Sequence, residues 1–242
     1  MKKILFVALT LCVFLSSLFA GPFDDFKQYF QNNYLKPFVK DFGGVVGAND
    51  FSSGRTVGFP GFDIGFDLAV QRKPSPDNLI LKNAGVDAFG IPMIHASVGL
   101  PFIGFNVILR GFDYSGLRLI GGGVGYNIFK SGMLSKFMPD LSALFYYDSV
   151  DFKYFKGSHI SFDVVGSWDL PIVKPFVGGG IDKTRLETKN LGVGLDGISE
   201  SVSKTRYSFG LRFCPIPLAY IYAAYSKLHS QNAYNFGLGI RF

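Results

Sequence analysis

His95 and Ser97 are the residues whose types and spacing come nearest to a nucleophile with its base. A serine hydroxyl attacks only when an adjacent base takes its proton and a third group orients that base. The two stand one residue apart in Ile94-His-Ala-Ser-Val98, so on an extended strand both point to the same side. Ile94, Ala96 and Val98 occupy the apolar side, which leaves His95 and Ser97 expected as a satisfied interior pair. No enzyme activity is expected. His159 and His229 lie far apart, at expected strand ends and without nearby ligands at useful spacing, so no metal or other cofactor is expected. Asp148 and Asp151 flank one loop and read as a solvated rim. Gly121-Gly-Gly123 and Gly178-Gly-Gly180 lack the Lys-Ser/Thr and the strand-to-helix context of a phosphate loop. Within strands such glycines mark bends or close approaches.

The strands that must position these residues are most legible at the end of the chain. In Gln231–Phe242, Tyr234, Phe236, Leu238, Ile240 and Phe242 fall at every second position, with Asn235, Gly237, Gly239 and Arg241 between them. A period of two puts the bulky apolar groups on one face and the small or polar groups on the other. At the other end, Lys2 and Lys3, the apolar Ile4–Leu15 and Ser16–Ala20 form the three parts of a secretory signal. Cleavage after Ala20 removes Cys12 and leaves Cys214 without an intramolecular disulfide partner.

Composition agrees with an apolar exterior. The chain is 48% hydrophobic, 17% aromatic and 17% charged, against about 25% charged in soluble proteins. After Ala20 no run is long and apolar enough for a membrane helix. Backbone amides in lipid are satisfied only by helices and closed barrels, so a barrel wall is the remaining destination for these residues. Net charge is +6, or +4 without Lys2 and Lys3, too modest and dispersed for nucleic acid.

The fold expected is all-β: a transmembrane antiparallel up-and-down β-barrel of about ten strands, with twelve as the alternative. The strands fall at 61–71, 86–99, 102–113, 116–129, 140–149, 159–168, 172–184, 204–214, 217–227 and 231–242. The domain reading is signal 1–20, N-terminal amphipathic helix and connection 21–60, and barrel 61–242. In the helix, Phe23, Phe26, Phe30, Tyr34, Phe38 and Phe42 recur every three or four residues, and Pro37 is expected to break or kink it near Lys36. The segment could plug the lumen, lie on the inner leaflet or pack beneath the barrel. Residues 43–60, rich in Gly and Ser, read as a connection, with one weak strand as the alternative. With both ends periplasmic, the links after strands 2, 4, 6 and 8 should be short; Leu100-Pro101, Asp169–Pro171 and Pro215-Ile216 are, and the link at 130–139 is the longer exception. On this topology Phe62, Trp168, Phe213 and Phe242 face outward at the periplasmic ends, and Tyr147, Tyr207 and Tyr234 face outward near the other rim. Girdles at both interfaces are expected of a membrane barrel.

Asp63 and Arg241 belong to the strands that close the barrel and both face inward, so a contact between them is expected, with Arg212 or Asp67 sharing it. Arg72, Lys73, Lys82, Lys153, Lys156, Lys183, Arg185 and Lys189 fall in expected extracellular loops. They could meet lipopolysaccharide phosphates, although solvated loops are the plainer reading.

The signal peptide, alternating strands and terminal Phe242 together resemble the outer-membrane β-barrel class of diderm, Gram-negative bacteria. Tyr34-Leu-Lys-Pro-Phe38, Gly43-Gly44, Gly47 and Phe62-Asp-Ile-Gly-Phe66 are similar to a family of uncharacterised outer-membrane barrels. The chain departs from the fatty-acid channels, which are much longer. His95-Ala-Ser97 is similar in spacing to outer-membrane phospholipases but lacks their accompanying Asn-Gly. The class resemblance implies recognition of the last strand by the barrel-assembly machinery and a place in the outer membrane. The partners expected are outer-membrane lipids, lipopolysaccharide among them, with the chain a monomer. The function expected is passive passage or binding of a small solute in a restricted lumen; the alternative is a structural or adhesive protein acting through its loops.

Overall fold

The computed structural model describes residues 21–101, 104–132 and 138–242. The expected signal 1–20, the start of the expected third strand and part of the 130–139 link lie outside them. Ten strands form one closed antiparallel barrel in sequence order, with the first strand also paired to the last. They are β1 (Phe62–Gln71), β2 (Phe89–Gly99), β3 (Phe105–Tyr114), β4 (Leu117–Phe129), β5 (Asp140–Phe152), β6 (Phe155–Ser167), β7 (Val173–Thr188), β8 (Ser199–Ile216), β9 (Ala219–Lys227) and β10 (Asn232–Arg241). Closure leaves no unpaired edge along the β1–β10 seam, where nine successive residue pairs run from Asp63↔Arg241 to Gln71↔Ala233. The alternation read from sequence is the cause. Ile64, Ile94, Leu109, Ile120, Phe162, Ile181, Phe209, Leu211, Phe236 and Leu238 all stand exposed on the outer wall.

Two hairpins extend further than the alternation suggested. β5 and β6 continue to Phe152 and Phe155, and β7 and β8 to Thr188 and Ser199. Their inward residues Val150, Phe152, Phe155, Leu186 and Val202 are buried against the N-terminal segment, so these strand ends have a core to pack on and do not fray into loops. Lys183 and Arg185, assigned to a loop by sequence, stand on β7 and point outward.

The N-terminal segment occupies the lumen. A single turn, α1 (Phe26–Tyr29), caps the end of the barrel that carries the longer loops, and α2 (Asn32–Ala48) descends from there into the interior. The break falls at Phe30–Gln31, both extended, and not at Pro37, which lies inside α2. Pro37 removes one helix hydrogen bond, but the surrounding wall holds the turn together. Nor are residues 43–48 a connection. Gly43, Gly44 and Gly47 are helical, and a Cβ on Gly47 would lie 2.7 Å from both carboxylate oxygens of Asp182. Glycine lets the helix backbone press against the wall, and the lumen supplies the contacts that offset its poor helix propensity.

At 1.5 Å per residue the 17 residues of α2 span about 26 Å, comparable to the apolar height of a membrane barrel. From Asp41 to Asp50 every residue is buried, as a helix surrounded on all sides must be. Phe23, Phe26, Phe38 and Phe42 interlock edge-on or tilted with Phe155, at centroid distances of 5.2–6.2 Å. Among the described residues no helix is long and apolar enough to cross a membrane.

Candidate functional site

The lumen has three levels. At the loop end, Asp41 of α2 is fully buried and must be satisfied from outside its helix. The β1–β2 connection supplies Ser75, whose backbone N and Oγ donate at 2.7 and 2.5 Å, and Asn78, whose Nδ2 donates at 2.8 Å. His229 Nε2 lies 3.1 Å away. Burial opposes the charge on Asp41, but the bonds from His229, Ser75 and Asn78 outweigh it and hold the carboxyl below the ordinary Asp value. Asn78 also caps α3 (Leu79–Asn83), which packs on α1 and α2. Lys40 adds an ion pair to Asp77 at 2.8 Å.

The middle level is a buried charge network beneath the C-terminal end of α2, whose unpaired carbonyls carry partial negative charge and favour cations. Asp50, two residues past the helix, accepts from Arg110 Nη1 at 2.5 Å and from Arg206 Nη2 at 2.7 Å. Arg110 also forks onto Asp148 at 2.8 and 2.6 Å and lies 4.0 Å over the Tyr146 ring. Tyr146 donates its hydroxyl to the Asp50 carbonyl at 2.7 Å. Arg206 reaches Asp163 at 2.8 Å and Asp182 at 3.1 Å. His159 donates to or accepts from Thr184 Oγ1 at 2.8 Å.

Sequence reading misplaced two members of this network. Asp148 is fully buried and not part of a solvated rim; only Asp151 is exposed, paired with Lys189. His159 is fully buried rather than at a strand end. The longer β5–β6 hairpin carries both below the rim.

Ladder register explains how these side chains meet, and also explains the glycine runs. Arg110 pairs with Gly121, which pairs with Asp148; Asp163 pairs with Gly180, which pairs with Arg206. In each case the two charged residues are separated by one strand, and the residue between them is glycine. A Cβ on Gly121 or Gly180 would collide with the side chain of Asp148 or Asp163. The glycine is the gap across which arginine and aspartate bond. Gly237 serves the same purpose where Tyr222 crosses β10 to give its hydroxyl to Asp67 at 2.7 Å.

The third level is a polar chamber at the short-turn end. Asp63 faces Arg241 directly in the β1–β10 ladder, with Oδ2 3.6 Å from Arg241 Nε and 3.3 Å from Arg212 Nη2. Tyr220 donates to Asp63 at 2.8 Å and stacks beneath Arg212 at 3.3 Å. His95 places Nδ1 2.5 Å from Asp67 and Nε2 3.4 Å from Asp63. Both ring nitrogens thus face carboxylates. Among the described residues no bond joins His95 to Ser97, so the pair does not form the nucleophile–base arrangement its spacing allowed.

A cavity of about 80 Å³ lies between the two polar levels, lined by Asp50, Asp63, Asp67, His95, Arg110 and Arg212 among others. Below it a mouth of about 600 Å³ is bordered by Arg55, Lys130, Lys174, Arg212 and Arg241, with Asp140 and Asp169. Asp169 pairs with both Arg55 and Lys174. Partial burial opposes its charge, but Lys174 and Arg55 prevail and hold the carboxyl below the ordinary value.

The aromatic positions sort by end. Phe62 and Phe242 stack at 5.5 Å where the barrel closes, and Phe213 is exposed near the same end. Trp168, half-buried, follows β6 there. Tyr147, Tyr207 and Tyr234 are exposed on the outer wall toward the loop end. Phe105 and Tyr126, 4.7 Å apart on β3 and β4, extend the short-turn belt and were not singled out by sequence.

The other residues sequence reading missed are Asp41, Asp50, Arg110, Asp163, Asp182 and Arg206. Four of them carried a readable signal: Arg110, Asp163, Asp182 and Arg206 occupy the inward phase of their strands, with Gly121 or Gly180 beside three of them. Asp41 and Asp50 carried none, because only the path of the plug gives them partners.

The chain is similar, at low identity, to several solved barrels. The N-terminal β-barrel domain of Pseudomonas aeruginosa OprF aligns at 15% identity and TM-score 0.35, covering 74% of this chain and 97% of that one. The attachment invasion locus protein Ail of Yersinia pestis, solved with the heparin analogue sucrose octasulfate, aligns at 16% and 0.31, covering 75% and 97%. The KdgM porin aligns at 8% and 0.38, covering 74% and 99%. No curated protein matches the chain. A family profile does match, over residues 76–242, from the β1–β2 connection to the last residue. The chain therefore belongs to the family of unknown function DUF6588.

Proposed function

We propose that this protein is an outer-membrane β-barrel that is held shut by its own N-terminal helix and binds a small anionic solute from the periplasmic side. Membrane placement rests on the outer wall. Isoleucine, leucine, valine and phenylalanine stand exposed on strand after strand around the barrel, whereas soluble monomers rarely expose apolar patches beyond a few hundred Å². In lipid that surface has no cost, and closure satisfies the backbone. The short-turn end, where β1 begins and β10 finishes, then faces the periplasm, and the longer loops face outward.

The single observation that carries the functional reading is the asymmetry of the lumen. Its outer half is filled by α2 and aromatic side chains, while its inner half keeps a charged chamber open to a broad mouth. That favours binding over passive passage. The mouth sets Arg55, Lys130, Lys174, Arg212 and Arg241 against Asp140 and Asp169, which favours anions.

Two measurements test this. In planar bilayers the full chain should carry no steady current; a stable open conductance would refute the plugged reading. Trp168, the chain's one tryptophan, sits beside the mouth residue Asp169, so its fluorescence should change with small carboxylate or phosphate solutes and not with matched cations. Silence toward all anions would refute solute binding.

A further inference from the structure

The middle level has more negative charge than its guanidinium groups balance. Asp50, Asp148, Asp163 and Asp182 are all buried there, and among the described residues only Arg110 and Arg206 pair with their carboxylates. The carbonyl end of α2 adds further negative potential. The buried side-chain atoms around this cluster that lack a partner include His159 Nε2, Asp163 Oδ2, Ser161 Oγ and Arg206 Nη1. His159 and Asp163 expose no surface. A buried imidazole nitrogen without a partner, beside surplus carboxylate, is a position that a metal ion would satisfy.

We propose that Asp50, His159 and Asp182 bind a divalent first-row transition ion, with Asp163 as a further ligand, and that this ion clasps the plug to the barrel wall. One ligand atom from each of Asp50, His159 and Asp182 already lies within 4.8 Å of the others. Ligands about 2.1 Å from a tetrahedral ion sit about 3.4 Å apart, so the site must contract by up to about 1.4 Å. Thr184 holds His159 Nδ1 at 2.8 Å and leaves Nε2 as the nitrogen free to coordinate, the support that ligating histidines usually receive. Each carboxylate oxygen that accepts from Arg110 or Arg206 keeps a second lone pair for a metal.

One imidazole with carboxylates suits Zn²⁺ or Mn²⁺; Ca²⁺ demands an all-oxygen set and a larger shell. A doubly charged ion would also offset the surplus of carboxylate over guanidinium in the cluster. Asp50 belongs to the plug, whereas His159 and Asp182 belong to β6 and β7, so the ion would link the two. Asp50 also lines the polar chamber, which gives the ion a route from the short-turn mouth. This inference rests on plug geometry and is independent of anion binding at the mouth.

The test uses the full chain, folded in detergent, stripped with EDTA and titrated with Zn²⁺ or Mn²⁺. Elemental analysis after desalting should find about one ion per chain. At a metal concentration a hundredfold above the dissociation constant, the melting midpoint should rise by about 5–10 °C. His159→Ala should lose both effects, and His229→Ala should keep them. Absence of bound metal in the unmutated chain overturns the proposal, as does equal retention by His159→Ala. If His159→Ala does not fold, Asp182→Asn provides the second variant: weakened retention supports the site, and undiminished retention overturns it. Trp168 fluorescence with anions reads the mouth separately, so failure of either idea is distinguishable from failure of the other.

Discussion

Replacing Asp50 by alanine should loosen the plug without opening the barrel wall. The side chain accepts two charge-assisted bonds, from Arg110 at 2.5 Å and from Arg206 at 2.7 Å. Bonds of this kind contribute about 1.5–3 kcal/mol each, so the gross loss is about 3–6 kcal/mol. Neither arginine is orphaned, because Arg110 keeps Asp148 and Arg206 keeps Asp163 and Asp182. The larger penalty for an uncompensated buried charge therefore does not apply, and relief of repulsion among the remaining carboxylates returns part of the loss. A net cost of about 2–4 kcal/mol remains, and it falls on helix docking. At about 1.4 kcal/mol per tenfold, the undocked population should rise roughly 30- to 1,000-fold. Protease cleavage within residues 21–48 tracks that population when opening and closing are fast. Measured in EDTA, so that no ion contributes, Asp50→Ala should be cleaved faster by that factor and should show intermittent current in bilayers. Asp113→Ala, which removes an exposed pair with Arg118, should change neither. If Asp50→Ala were cleaved at the unmutated rate, the network would not be what anchors the plug.

Gly47→Val should displace α2, since its branched side chain would start 2.7 Å from the fixed Asp182 carboxylate. Overpacking costs about 1–3 kcal/mol and valine regains less than about 1 kcal/mol of helix propensity; unchanged protease resistance would refute the tight approach. Asp63→Ala removes the carboxylate shared by Arg212, Arg241 and Tyr220. With two guanidinium groups left facing each other, about 3–5 kcal/mol should be lost. The temperature at which the folded gel band disappears should drop, and an unmoved transition would show that the contact is idle. Asp41 and Asp169 both hold their protons less tightly in the folded state than the ordinary Asp value of 3.8. Their contribution is therefore fully present above about pH 4 and is lost as pH falls through the lowered values. Protease sensitivity of the plug should rise as pH falls below about 4; resistance unchanged down to about pH 2 would contradict this.

Strand number, order and facing could be read from the chain because they depend on local alternation. Each strand repeats the same two-residue period, so Tyr234–Phe242 declares its outer face without reference to any neighbour, and the closing pair Asp63 and Arg241 follows from strand order alone. What the alternation could not reveal was the content of the barrel. Gly43, Gly44 and Gly47 are poor helix formers in isolation and read as a connection; only a wall pressing on them makes glycine the residue that fits. Pro37 reads as a break, yet lies within a helix that the lumen encloses. Asp148 and His159 read as rim residues because their hairpin needed the plug's aromatic cluster to extend it. The backbone period is written in consecutive residues, whereas the lumen is filled by side chains from strands far apart in sequence. Their partners, such as Asp50 with Arg110 and Arg206, are decided only when the cylinder closes around the helix.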